Sequence, residues 1–92
     1  MENDKIVLRD ISPTLTRVYA PEELFGVYLP VGVVEHDARE GTIIFCMNEG
    51  CKDLLPQLEE TFRRPYEMFK RPDIRTTAFV GKEMLYSNAP IK

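Results

Sequence analysis

Tryptophan is absent from these 92 residues, histidine occurs once, and cysteine only twice, at Cys46 and Cys51. So few soft ligands argue against a mononuclear transition-metal site, which needs three or four at suitable spacing. The two cysteines have four residues between them, so no CxxC redox or paired-cysteine zinc signature is present. The five glycines are dispersed, which excludes a glycine-rich phosphate loop. GxSxG and HExxH are also missing. No apolar run approaches the roughly 20 residues of a membrane-spanning helix. The polar start, Met1-Glu2-Asn3-Asp4-Lys5, has no signal-peptide character. The expected setting is therefore the cytoplasm, with two reduced thiols.

Positive charge is also in short supply: 12 Lys and Arg stand against 15 Asp and Glu, for a net charge of −3 and a pI near 5.1. A general nucleic-acid binder needs a basic surface to neutralise phosphates, so that class is set aside. What the chain does have is 43% hydrophobic and 29% charged residues, the balance of a folded domain. The length predicts one domain over 1–92, with a core within about 6–87. A domain this small buries only roughly 60–65% of its unfolded surface and leaves little room for a deep cavity.

Read along the chain, Ile6-Val7-Leu8 is a brief β-prone run. Ser12-Pro13 reads as a helix start, with an N-cap hydroxyl followed by proline at the first helical position. Leu15, Val18 and Tyr19 follow at helical spacing. Ala20-Pro21-Glu22-Glu23-Leu24-Phe25, closed by Gly26, repeats that logic. Two short N-terminal helices are the expectation. Val31 to Met47 then predicts a hairpin: two runs rich in β-branched and aromatic residues around the polar turn 37–41. Ile43-Ile44-Phe45 is continuously apolar, which predicts a central strand covered on both faces.

The next helix could start at Asn48 or Asp53, and Pro56 favours the later start or a bend. Leu54, Leu55, Leu58 and Phe62 share one face. Pro65 is expected to stop this helix, leaving Tyr66 to Lys70 as a strand whose exposed edge could support a homodimer. Residues 74–87 remain open between a hairpin turning at Gly81-Lys82 and a helix capped by Asp73. The expected fold is thus α+β: a three- or four-stranded mixed or antiparallel sheet, one main amphipathic helix and two short N-terminal helices.

Few residues carry chemistry. His36, beside Glu35 and Asp37, is expected to be a solvated turn histidine. Cys46 is expected to behave as a small hydrophobe. Cys51 near a helix N-terminus would gain thiolate character, but a nucleophilic role is the minor reading. No catalytic residue, metal ligand or cofactor is assigned. The candidate binding surface is the basic-aromatic stretch Arg63, Arg64, Tyr66, Phe69, Lys70 and Arg71, a local positive patch suited to an acidic protein surface or a phosphorylated small molecule. Against it stands the plainer reading, in which the arginines serve the helix end and the aromatics fill the core.

Val7-Leu8-Arg9-Asp10-Ile11, Ala20-Pro21-Glu22-Glu23-Leu24, Tyr28-Leu29-Pro30-Val31, Gly41 to Met47 and Pro72-Asp73-Ile74 occur in an order that resembles the N-terminal domain of type II secretion and type IV pilus assembly ATPases. The likeness covers about residues 6–75 and matches the C-terminal part of that domain. The turn at Glu49-Gly50 lacks the family's proline, the upstream cyclic di-GMP-binding segment is missing, and no Walker motif follows. The resemblance therefore implies no ATP hydrolysis. It implies a non-enzymatic interaction or regulatory module of a bacterial secretion, pilus or envelope-polysaccharide system, held at the inner membrane through a protein partner. The alternative is a small domain sensing a phosphorylated nucleotide such as cyclic di-GMP.

Overall fold

The computed structural model describes residues 6–22, 24–68 and 74–88. Six strands form one sheet in chain order: β1 (Val7–Ser12), β2 (Leu15–Pro21), β3 (Tyr28–Asp37), β4 (Thr42–Met47), β5 (Arg75–Val80) and β6 (Glu83–Asn88). Every neighbouring pair is antiparallel except β4 and β5. Those two run parallel because a helix lies between them, and parallel neighbours require a long crossover. That helix is α1 (Leu55–Met68), entered through a single 3-10 turn at Lys52–Leu54.

The expected three- or four-stranded sheet with three helices is therefore corrected to a six-stranded mixed sheet with one α-helix of 14 residues. Both expected N-terminal helices are strand and turn. Ser12-Pro13 does use its hydroxyl as a cap, accepting the Thr14 N–H at 3.2 Å, but it caps a β-turn. From there Thr16 and Val18 alternate as buried residues with exposed Arg17 between them, a period of two that a helix cannot produce. Their β-branched side chains suit the pleated surface.

The sheet has one covered face. Asp10, Thr16, Val34, Phe45, Ala78 and Tyr86 form a cross-sheet row through all six strands on the helix side. Thr16, Val34, Phe45 and Ala78 in that row are buried, and they pack with Ile43 and Met47 against Leu55, Leu58 and Tyr66 of α1. On the opposite face, Val33, Ile44, Cys46 and Phe79 are only half-buried. β4 is central but covered on one side, contrary to the expectation from its continuous apolar run.

Leu55, Leu58, Phe62 and Tyr66 follow helical spacing, and Pro56 falls in the first turn of α1, where its missing N–H costs nothing. Pro65 does not stop the helix, which runs on to Met68. Proline removes one ladder bond, but Tyr66 secures the last turn: its ring is buried and its hydroxyl donates to the Thr42 carbonyl at 3.3 Å. The expected 66–70 edge strand is corrected at Tyr66–Met68, which are helical; Phe69 and Lys70 lie outside the described residues. Residues 75–88 resolve to the hairpin, turning at Gly81 with φ +62°.

β2 and β3 outrun their neighbours. β1 pairs β2 only as far as Tyr19, and β4 pairs β3 only from Gly32. Among the described residues, the pairs Ala20–Leu29 and Pro21–Tyr28 therefore extend past the neighbouring strands as a two-stranded ribbon. No helix among the described residues is long and apolar enough to cross a membrane.

Candidate functional site

The end of the β2–β3 ribbon is the most unusual surface on the molecule. The Glu22 backbone N–H donates to the Val27 carbonyl at 2.7 Å, and the Gly26 N–H donates to the Glu22 carbonyl at 2.8 Å. The Glu22 carboxylate accepts the Phe25 N–H at 2.8 Å. Gly26 adopts φ +72°, a conformation open to glycine and strained for other residues. This closed turn points side chains outward: Leu24 is 82% and Phe25 80% exposed. Val27, Tyr28 and Leu29 beside them are also exposed. A contiguous apolar cluster of this kind, left in water, is a signature of an interaction site. The stretch from Val18 to Val31 carries two acids, Glu22 and Glu23, and no Lys or Arg.

The residues singled out by sequence are placed as follows. Arg63 is half-buried on α1, and Arg64 is exposed with its guanidinium 3.2 Å from the Glu60 carboxylate one turn away. Tyr66 is turned into the core. Phe69, Lys70 and Arg71 lie outside the described residues.

His36 is not a solvated turn residue. Its Nε2 lies 2.8 Å from the Thr16 hydroxyl, which donates to the Asp10 carboxylate at 2.9 Å. Its ring packs against Phe62 with centroids 5.3 Å apart. The Thr16 proton is directed at Asp10, so the histidine supplies the N–H and the threonine oxygen accepts it. In that direction of donation the imidazole cannot draw the proton from Thr16, as activation of a nucleophilic hydroxyl would require. These groups border an open recess of about 300 Å³, also lined by Leu8, Phe62 and Tyr66. Asp10, Thr16 and His36 tie β1, β2 and β3 together on the helix side.

Cys46 and Cys51 are both free and half-buried. Burial raises the thiol pKa of each, and at Cys46 the nearby Glu35 carboxylate adds to the rise. At Cys51 the direction is opposite to that expected from a helix N-terminus, because burial disfavours the thiolate. Among the described residues no three His, Cys, Asp or Glu side chains group as a metal site.

Sequence reasoning missed the hairpin tip because Pro21-Glu22-Glu23 reads as a helix start. The available signal was the density of large apolar residues, Leu24 to Leu29, around a single glycine. No protein-family model, curated protein or solved structure matches the chain.

Proposed function

We propose that this chain is a non-enzymatic protein-interaction module and that the β2–β3 hairpin tip is its anchor. The observation that carries the reading is the exposure of Leu24 and Phe25 at the end of a projecting ribbon. An aromatic and an aliphatic side chain on a closed turn lose little conformational freedom on docking, and such residues dominate binding energy when they enter an apolar pocket. A protein pocket suits the tip better than a lipid surface. Residues 18–31 contain acids and no Lys or Arg, whereas interfacial segments draw strength from Lys and Arg facing anionic headgroups.

The nucleotide-sensing alternative draws less support, since Arg64 is engaged with Glu60 and Tyr66 is packed in the core. Nothing links the chain to secretion ATPase domains, and in the segment read as their proline-acidic helix, Ala20 and Pro21 belong to β2. The proposal therefore names a class of interaction and no pathway.

The test compares the wild-type protein with the double variant Leu24→Glu, Phe25→Glu as bait in lysate of the native host, read by quantitative mass spectrometry. Because both side chains are already in water, the variant should keep its circular dichroism spectrum and melting temperature. A defined partner held at near-stoichiometric level by wild type, and reduced at least about tenfold in the variant, supports the reading. Equal recovery by both baits sinks it, as does tip-dependent binding to phosphatidylcholine or phosphatidylglycerol vesicles.

A further inference from the structure

β1 is the outer strand of the sheet, and no strand among the described residues pairs with its free side. We propose that this edge accepts an extended acidic segment of a partner protein by strand addition, a contact separate from the hairpin tip. The backbone of an edge strand offers unpaired N–H and C=O groups that a seventh strand can complete, while alternate side chains select the sequence.

The selecting side chains are on the uncovered face. Arg9 and Arg17 are direct partners across β1 and β2, in a row that continues through Val33, Cys46, Phe79 and Met84. Neither guanidinium has an ion-pair partner among the described residues. Like charges opposed in this way destabilise a sheet. A carboxylate on an added strand opposite Arg9 would stand about 4.8 Å from β1 and about twice that from β2, within reach of both long side chains. Arg9, Ile11, Arg17 and Tyr19, with Asp10, line one shallow depression there, and the Asp10 carboxylate itself is turned to the helix side, where it accepts the Thr16 hydroxyl. Two positions to either side of Arg9, Val7 and Ile11 are 45% and 47% exposed, Ile11 falling at the register shift between Asp10 and Ser12. The fitting segment therefore has an acidic residue flanked, two positions away on each side, by apolar ones.

Charge also argues against a second copy of this chain as the occupant. Antiparallel addition about a twofold axis places one β1 residue opposite itself. The two registers that pair five residues, 7–11 or 8–12, centre on Arg9 or on Asp10. The first opposes two guanidiniums, with Arg17 of each copy next in the row, and the second opposes two carboxylates. An acidic heterologous strand removes the conflict that self-pairing creates.

The probe is the peptide Thr-Val-Thr-Glu-Thr-Val-Thr with blocked ends, compared with the same peptide carrying Lys in place of Glu. Each is titrated to several millimolar into the 15N-labelled full chain at low salt. The expected result is amide shift changes and slowed hydrogen exchange across residues 7–12, with at least tenfold tighter binding of the Glu peptide. Arg9→Glu, at an exposed edge position, should invert the preference, whereas Leu24→Glu, Phe25→Glu should leave it unchanged. That last variant separates this contact from the tip. Absence of β1 shifts, equal affinity for both peptides, shifts confined to the tip, or concentration-dependent dimerisation through β1 in light scattering would each overturn the proposal.

Discussion

The Thr16 hydroxyl is held 2.8 Å from Nε2 of His36, although the two residues are 20 positions apart in the chain. The same oxygen donates to Asp10, so one side chain links three neighbouring strands. Thr16 is 2% exposed, which makes both bonds costly to abandon.

Replacing Thr16 by Val keeps the shape and removes both hydrogen bonds. We expect a loss of about 1–3 kcal/mol in urea unfolding, because the histidine donor is left with no acceptor in a half-buried place. Thr16→Ser keeps the hydroxyl and should cost less. Equal stability of the valine variant and wild type would show that this chain of hydrogen bonds contributes nothing.

Gly32 faces Met47 across the β3–β4 ladder. A Cβ at position 32 would stand 2.6 Å from the Met47 sulfur and 2.7 Å from the Cys46 carbonyl oxygen. The thioether can swing away, but the carbonyl belongs to the central strand and cannot move without disturbing the ladder. Gly32→Ala should therefore destabilise by about 1–3 kcal/mol, as overpacked cores do. A thermal melt that is unchanged or raised would contradict the close approach.

Thr76 presents the opposite case. Its hydroxyl is fully buried and finds no hydrogen-bond partner among the described residues. Thr76→Val replaces that group with a methyl of similar size and should raise stability by roughly 1 kcal/mol, within the usual cost of an unsatisfied polar group. Destabilisation in chemical unfolding would reveal a partner for the hydroxyl.

The raised pKa values of Cys46 and Cys51 predict slow alkylation. At pH 7.5 each thiol should react with iodoacetamide more slowly than a free cysteine, since the thiolate is the nucleophile. The stability consequence has a definite sign. The unfolded thiols ionise first, so the contribution is intact at neutral pH and declines as pH rises through the unfolded value near 9. Chemical unfolding between pH 7 and 10 should show that decline, reduced in the double Cys→Ala variant. Faster-than-free alkylation at either site would reverse the assignment.

Two stretches of the chain show where local reading works and where it stops. Val31 to Met47 is legible because β-branched residues flank a turn with its own chemistry: Asp37 accepts the N–H groups of Arg39 and Glu40, and Gly41 closes at φ +70°. The helix face of Leu55, Leu58 and Phe62 is equally local. Ser12-Pro13 and Pro21-Glu22 are not, because an oxygen cap and a proline-set φ serve a turn as well as a helix start. The same ambiguity concealed Leu24 and Phe25, which read as part of a short helix closed by Gly26 and are in fact exposed at the β2–β3 turn. The edge of β1 was hidden for a further reason, since being outermost is a relation to five other strands.

By itself the sequence established a small acidic chain with one amphipathic helix and a hairpin at its centre, and it shows no motif for bond-making chemistry, all properties carried by composition, spacing and neighbouring residues. Only the tertiary structure decided that Val7–Ser12 and Leu15–Pro21 are strands, that β4 and β5 run parallel, that α1 packs on one face of the sheet, and that Arg9 stands opposite Arg17. Those outcomes depend on pairing between residues far apart in the chain, where the shared burial of Val18, Val34 and Phe45 outweighs the preferences of any short segment.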